Sequence, residues 1–266
     1  MKIRNFLVLL LLVSASAAQA DGLDHWPRFR GPNGSGVNAT GKTPATWSPD
    51  EYLWTCDLPG SGCSSPAVWG KSLFVTAADE TKLRRYLVCL DADRGTERWR
   101  KENTFAKYKK HKNNAYASST PAVDAEHVYV LWHSRDESPL IAYTHAGEEV
   151  WRYDLGPYLH GQGGATSPVV HGDLVVVAHD HKADSFLVGV NRLTGEVVWK
   201  VPREGKRACY STPCVRSTSA GDELVFVHCY EGIIGVDAAT GKQRWHVDVF
   251  GRESQRALAS PVLAGD

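Results

Sequence analysis

The chain has 266 residues, with 30 Lys+Arg against 30 Asp+Glu and hence no formal net charge. That balance lacks the clustered basic excess that marks nucleic-acid binding; the one basic run, Lys107-Tyr108-Lys109-Lys110-His111-Lys112, reads as a solvated loop. No later stretch reaches transmembrane length, so no membrane-spanning segment is expected once the N-terminal leader is removed.

Residues 1–20 read as a cleaved secretory signal. Lys2 and Arg4 precede the apolar run Phe6 to Val13, and Ala18-Gln19-Ala20 supplies a small-x-small cleavage site. No Cys stands at that point, so a lipid-anchored export signal is not indicated. The mature part, with 28 Lys+Arg against 30 Asp+Glu, is expected in the periplasm or outside the cell. All six cysteines fall in it, and sequence alone does not choose their pairing. Cys56 and Cys63, and Cys209 and Cys214, are close enough to close small loops, and buried free thiols are the alternative. The absence of Cys-x-x-Cys argues against a zinc ribbon or a thioredoxin-type site.

Residues 21–46 read as an extended strap. The Pro and Gly of Trp26-Pro27-Arg28-Phe29-Arg30-Gly31-Pro32-Asn33-Gly34-Ser35-Gly36 favour turns over a helix. Trp26 and Phe29 are expected to anchor it, with Arg28 and Arg30 as surface charges.

From residue 47 to 266 the chain repeats itself. Ser65-Pro66, Thr120-Pro121, Ser167-Pro168 and Thr212-Pro213 each open a unit that closes on Trp99, Trp151, Trp199 or Trp245, at Pro-to-Trp separations of 33, 30, 31 and 32. Gly95, Gly147, Gly195 and Gly241 each stand four residues ahead of that Trp. Each unit divides into four strand-like pieces. In the third these are Pro168–Val170, Asp173–Ala178, Phe186–Val190 and Glu196–Lys200, rich in β-branched residues and broken by Gly, Asp and Asn. Such a unit cannot bury both faces alone, and radial stacking does so while leaving only short edges. The prediction is an all-β fold, a β-propeller of four-stranded antiparallel blades, with the four Trp side chains wedged between neighbours. Trp54, 12 residues before Pro66, is consistent with an outer strand supplied from the N-terminal side. A fifth unit begins at Ser260-Pro261-Val262-Leu263, so the expectation is part of a larger ring.

The loops running from each Trp strand to the next Ser/Thr-Pro pair are the segments expected to line a central pocket. Arg100–Ser119 carries Tyr108, His111, Asn113, Asn114 and Tyr116; the next holds His160-Gly161-Gln162-Gly163-Gly164; the third holds Arg207, Cys209 and Tyr210. Tyr116, His160, Gln162 and Tyr210 are the pocket candidates. His179-Asp180-His181 has metal-ligating side chains, but alternate strand residues point to opposite faces, which argues against shared ligation. The glycines after His160 lack the dinucleotide spacing, and no Gly-x-Ser-x-Gly turn occurs. No catalytic residue is assigned.

These units resemble the PQQ-like repeat family, whose blades carry an Ala-x-Asp-x-x-Thr-Gly-x-x-x-Trp docking motif. Asp237-Ala238-Ala239-Thr240-Gly241-Lys242-Gln243-Arg244-Trp245 matches it most closely, Ala92–Trp99 and Thr194–Trp199 follow, and His145-Ala146-Gly147 departs from Thr-Gly. Residues 26–36 also resemble the N-terminus of many secreted bacterial proteins of this kind. The resemblance implies a ring of seven or eight blades. It implies either of two functions: a non-catalytic scaffold like the BamB-type outer-membrane assembly factors, binding a protein partner or small ligand in the cell envelope, or a PQQ-dependent alcohol dehydrogenase. A sensor or carbohydrate-binding propeller is a third reading. The dehydrogenases hold PQQ against a Trp and a disulfide between adjacent cysteines, with Ca²⁺ on acidic and amide side chains. This sequence has no Cys-Cys pair and no calcium-loop spacing, so no cofactor is expected and the scaffold reading leads.

Overall fold

The computed structural model describes residues 25–38, 41, 44–205, 207–250 and 256–264. The leader at 1–20 lies outside the described residues. Among the described residues strands dominate, and helix is confined to two short 3₁₀ turns, Pro32–Gly34 and Pro49–Glu51.

Among the described residues sixteen strands form four separate antiparallel sheets, each a meander in sequence order. Blade 1 holds β1 (Ala67–Trp69), β2 (Ser72–Asp79), β3 (Arg84–Asp91) and β4 (Glu97–Thr104). Blade 2 holds β5 (Ala122–Val123), β6 (His127–Leu131), β7 (Pro139–Thr144) and β8 (Glu149–Asp154). Blade 3 holds β9 (Val169–His171), β10 (Leu174–His179), β11 (Phe186–Asn191) and β12 (Val197–Pro202). Blade 4 holds β13 (Cys214–Arg216), β14 (Glu223–His228), β15 (Gly232–Asp237) and β16 (Gln243–Val247). The four pieces foreseen in the third unit are present, with bounds that agree to within two residues. Contacts between β1 and β5 and between β5 and β9 put the first strand of each blade innermost.

Burial follows that layering. β6, β10 and β14 are buried along their whole length, whereas β8 and β12 bury little besides their Trp, as an outermost strand should. Alternation along each middle strand sends side chains to both faces, and in blades 2 and 3 a neighbouring blade covers each face. From blade 1, Phe74, Leu87 and Cys89 pack with Val128, Val130 and Ile141 of blade 2, while Val75, Tyr86 and Val88 pack on the Trp54 side. Tyr129, Leu131 and Leu140 meet Val175, Val177 and Val188; Val176 and Leu187 meet Phe226 and Ile234. The apolar core is therefore a series of inter-blade layers.

The Gly-Trp motif is a two-blade joint. Each turn glycine has positive φ, between 68° at Gly95 and 86° at Gly147, which glycine adopts without Cβ strain. A Cβ on Gly195 would also lie 2.7 Å from the Trp151 ring, and one on Gly241 equally close to Trp199. The indole N–H then donates to the neighbouring turn: Trp99 to His145 O at 2.9 Å, Trp151 to Arg192 O at 3.0 Å and Trp199 to Ala238 O at 3.1 Å. Trp54 docks in the same way, on Gly95 and on Ala92 O at 2.9 Å, although its segment is not a strand. Trp245 differs, donating to Glu223 of its own blade at 2.8 Å. Blade 2, which lacks Thr-Gly, closes its turn from Gly147 N–H to Thr144, one residue tighter than Gly195 to Asn191, and keeps the joint.

The Ser/Thr-Pro pairs build a second blade-to-blade ladder nearer the axis. Ser65 N–H donates to the Thr120 hydroxyl at 3.0 Å, Thr120 N–H to Ser167 at 3.0 Å and Ser167 N–H to Thr212 at 3.4 Å. Thr212 N–H donates to Ser260 at 3.0 Å, so Ser260 takes the position that opens each blade.

The strap crosses the innermost strands. Trp26 exchanges both backbone hydrogen bonds with Val68, Pro27 O accepts Val123 N–H, and Asn33 makes two hydrogen bonds with Val215. Arg28 corrects the expectation of a surface charge. Its side chain is buried, donates to Pro213 O at 2.7 Å, and is pushed down to about 10 by burial.

Candidate functional site

The segments that join blade to blade gather at the end of the strands opposite the Gly-Trp turns. A recess of about 360 Å³ opens there, lined by His111, Asn113, Asn114, Gln162, Ala165, Tyr210, Arg256 and Leu258. Four successive inter-blade segments contribute to it. The loops are held by their own backbone: His111 N–H donates to Gln162 O at 3.1 Å, and the Asn114 amide to the same oxygen at 2.8 Å. The Gln162 side chain is thereby presented by a braced loop.

Of the four pocket candidates, Gln162 and Tyr210 line this recess. His160 stands behind Tyr210, its Nδ1 accepting the Tyr210 hydroxyl and the Gln162 N–H, both at 3.2 Å. Burial, aided by the cations Arg256 and Lys182, pushes His160 down to about 4, and burial pushes Tyr210 up to about 12. At neutral pH both are uncharged, and the phenol is the donor. His160 itself lines an adjoining recess of about 350 Å³ with Tyr108, Arg135 and Lys182. Tyr116 is instead buried beneath the first loop. It packs on Phe105 and Tyr108 and donates to Tyr108 O at 2.9 Å, so it supports the wall without forming it. Lys110, in the basic run, pairs with Glu80 at 3.2 Å and lies 5.1 Å from the Tyr116 ring centroid. A larger cavity of about 640 Å³ lies at the other end, between the turns of blades 3 and 4, with His171, Asp222, Asp237 and Arg244 on its wall.

Beneath the loop recess lies a layer of buried polar side chains. The His133, Tyr158, His179 and His181 rings form one connected cluster, with His133 and Tyr158 centroids at 4.7 Å and His179 and His181 at 4.5 Å. The expectation that His179 and His181 face apart fails because β10 ends at His179 and the chain turns there. Gly164 lets the second loop descend onto this layer, since a Cβ there would sit 2.2 Å from the His133 ring. Burial holds His133 down to about 3 and His179 down to about 2. Arg85, wholly buried, donates to His133 O at 3.2 Å and packs over Trp132. Further along, Arg203 Nε lies 3.3 Å from Asp180 and 3.0 Å from Glu231, joining the third loop to the β10–β11 and β14–β15 turns. Burial raises Asp180 while Arg203 opposes the shift.

Sequence reasoning missed this layer. The signal was periodic: His133, His179 and His228 stand at or just past the ends of β6, β10 and β14, 46 and 49 residues apart, close to the repeat length. It also missed that Cys209 lies against Cys229, 3.1 Å away, and not against Cys214, which sits near Arg28.

Comparison with known proteins agrees with this architecture. The family model described as outer membrane protein assembly factor BamB matches residues 84–266. The fold is similar to a quinohemoprotein alcohol dehydrogenase of Pseudomonas putida HK5, with TM-score 0.52 and 19% identity over 69% of this chain and 34% of that one. It is similar to BamB from Moraxella catarrhalis, with TM-score 0.51 and 17% identity over 75% of this chain and 55% of that one. The chain therefore spans about a third to about half of these structures, and the likeness is one of fold. No curated protein matches it. Four meander blades locked by glycine and indole, together with the family match, place the chain in the PQQ-like β-propeller repeat family described as outer membrane protein assembly factor BamB.

Proposed function

We propose that the chain is a non-catalytic binding scaffold of the cell envelope, exported by its leader, whose contact surface is the loop end of the blades around Gln162 and Tyr210. The observation that carries this is the make-up of the recess. Each inter-blade loop offers it a hydrogen-bonding side chain, and the loops are braced by backbone hydrogen bonds before anything binds. Preorganised donors and acceptors together with the cation Arg256 suit an extended protein segment, whose backbone carries both kinds of group. The family description as an assembly factor supports a protein partner over a small ligand.

The likeness to a quinohemoprotein dehydrogenase motivates the enzyme reading, but the donor set does not fit PQQ with calcium. Among the described residues no carboxylate lines the recess, where Ca²⁺ requires oxygen ligands including carboxylates. The Asn114 amide is committed to Gln162 O and its oxygen accepts the Ala115 N–H.

The test passes envelope proteins over immobilised wild-type chain and over a Gln162→Ala/Tyr210→Ala variant. A species retained by the first and lost from the second supports the reading; equal retention overturns it. Saturable PQQ binding with dye-linked alcohol oxidation in the presence of Ca²⁺ would also overturn it.

A further inference from the structure

Cys209 lies in the loop before β13 and Cys229 just past the end of β14, and their sulfurs meet at 3.1 Å. The Cys229 N–H also donates to the Cys209 sulfur at 3.3 Å. Both side chains are buried, 1% and 4% exposed, among Val227, Ile233, Tyr230 and Ala257. His228 completes the group: a ring nitrogen and the two sulfurs all lie within 4.8 Å of one another.

Two cysteines and a histidine invite a soft metal ion, but the protons argue otherwise. Nδ1 of His228 accepts backbone N–H groups from Tyr230 at 3.1 Å and Glu231 at 3.3 Å. In the neutral ring the proton then sits on Nε2, so neither nitrogen has a free lone pair for a metal. The sulfurs are also closer together than the roughly 3.8 Å that two Zn–S bonds at a tetrahedral angle impose. A buried dithiol next to an imidazole N–H remains.

We propose that Cys209 and Cys229 form a disulfide that staples the third recess loop to the β14–β15 turn. A small disulfide such as oxidised glutathione supplies the oxidant. The Cys229 thiolate attacks one of its sulfurs; a protein–glutathione S–S bond forms, the oxidant's S–S bond breaks, and one glutathione thiolate leaves. The Cys209 thiolate then attacks Cys229 Sγ, forming the internal bond and releasing the second glutathione thiolate. Two electrons pass from the protein sulfurs to the oxidant, and the two thiol protons end on the glutathiones. The Cys209 thiol donates its hydrogen bond to the Cys229 sulfur, which favours the Cys229 thiolate as the first attacker. Ala257 covers both sulfurs in the folded state, so exchange belongs to the chain before that segment closes. The link joins positions 20 apart and fixes Tyr210, next to Cys209, to its own blade. None of this depends on what the recess binds.

The test folds the full chain in a glutathione redox buffer, alkylates it unfolded without reductant, and maps the tryptic peptides. Cys209 and Cys214 share the peptide before Arg216, so the Cys214→Ser variant is run alongside. The expected product is a peptide pair joined through Cys229 that survives Cys214→Ser and is lost in Cys209→Ser. Reductant should lower the wild-type melting midpoint by about 5–10 °C and leave Cys229→Ser unmoved. Two alkylated thiols at Cys209 and Cys229, or a bond from Cys209 to Cys214, overturns the proposal. So does reduced protein that retains equimolar Zn²⁺ through gel filtration when Cys229→Ser does not.

Discussion

The two ends of the same four blades are built by opposite rules. At the turn end one joint is used again and again: a glycine with positive φ, a neighbour's indole laid on it, and an N–H to the turn carbonyl. At the loop end, outside the Ser/Thr ladder, the joints differ from blade to blade. A phenol meets an imidazole, four aromatic and histidine rings cluster, and an arginine bridges two carboxylates. The repeated end needs only geometry and apolar area. The unrepeated end buries ionisable groups, which is costly unless each finds a partner, and proteins keep such groups where they bind or specify something.

The largest expected effect lies at the turn end. Trp199→Ala removes a nearly buried indole from two blades and should cost about 3–5 kcal/mol in denaturant unfolding. Trp245→Ala should cost clearly less, about 1–2 kcal/mol, because that indole is partly exposed and bonds within its own blade. Equal losses would break the two-blade account of the motif. At the loop end, Arg203→Ala leaves Asp180 buried without its cation and should cost about 3 kcal/mol, with Arg203→Ala/Asp180→Asn recovering part of it.

Acid should separate the ends further. His133 and His179 have folded pKa values of about 3 and about 2, below an unfolded value of about 6.5. The stability they contribute is fully present above pH of about 6.5 and is lost as pH falls toward those folded values, at roughly 1 kcal/mol per histidine per pH unit. Unfolding midpoints between pH 7 and 4.5 should fall steeply in the wild type and less in His133→Gln. Smallest is the inner ladder: Thr120→Ala removes the acceptor of Ser65 N–H and should cost about 1 kcal/mol by the same unfolding measurement.

The contrast also explains what could be read in advance. Gly95-to-Trp99 and its three counterparts announce the blades because the joint constrains residue type at fixed spacing, and the Ser/Thr-Pro pairs announce the ladder for the same reason. Gln162 and Tyr210 line the loop recess because the inter-blade segments that carry them converge there. Tyr116 was misplaced because a loop aromatic can turn inward as readily as outward, and only its partners Phe105 and Tyr108 decide. Arg28 was misread since charge alone does not reveal a carbonyl 185 positions away that will accept from it. The buried histidines went unread because alternation was applied past the point where β10 ends.

That long-range contact changes how the array must come apart. Blades that touch only neighbours can fray one at a time, each boundary melting on its own. The N-terminal strap ties the start of blade 4 to residues that precede blade 1, across 185 positions, after pairing with β1 and β5. Its closure entropy is met only when all the intervening sheets are in place. The strap therefore turns a linear stack into a closed thermodynamic circuit, in which losing any blade forfeits the clasp.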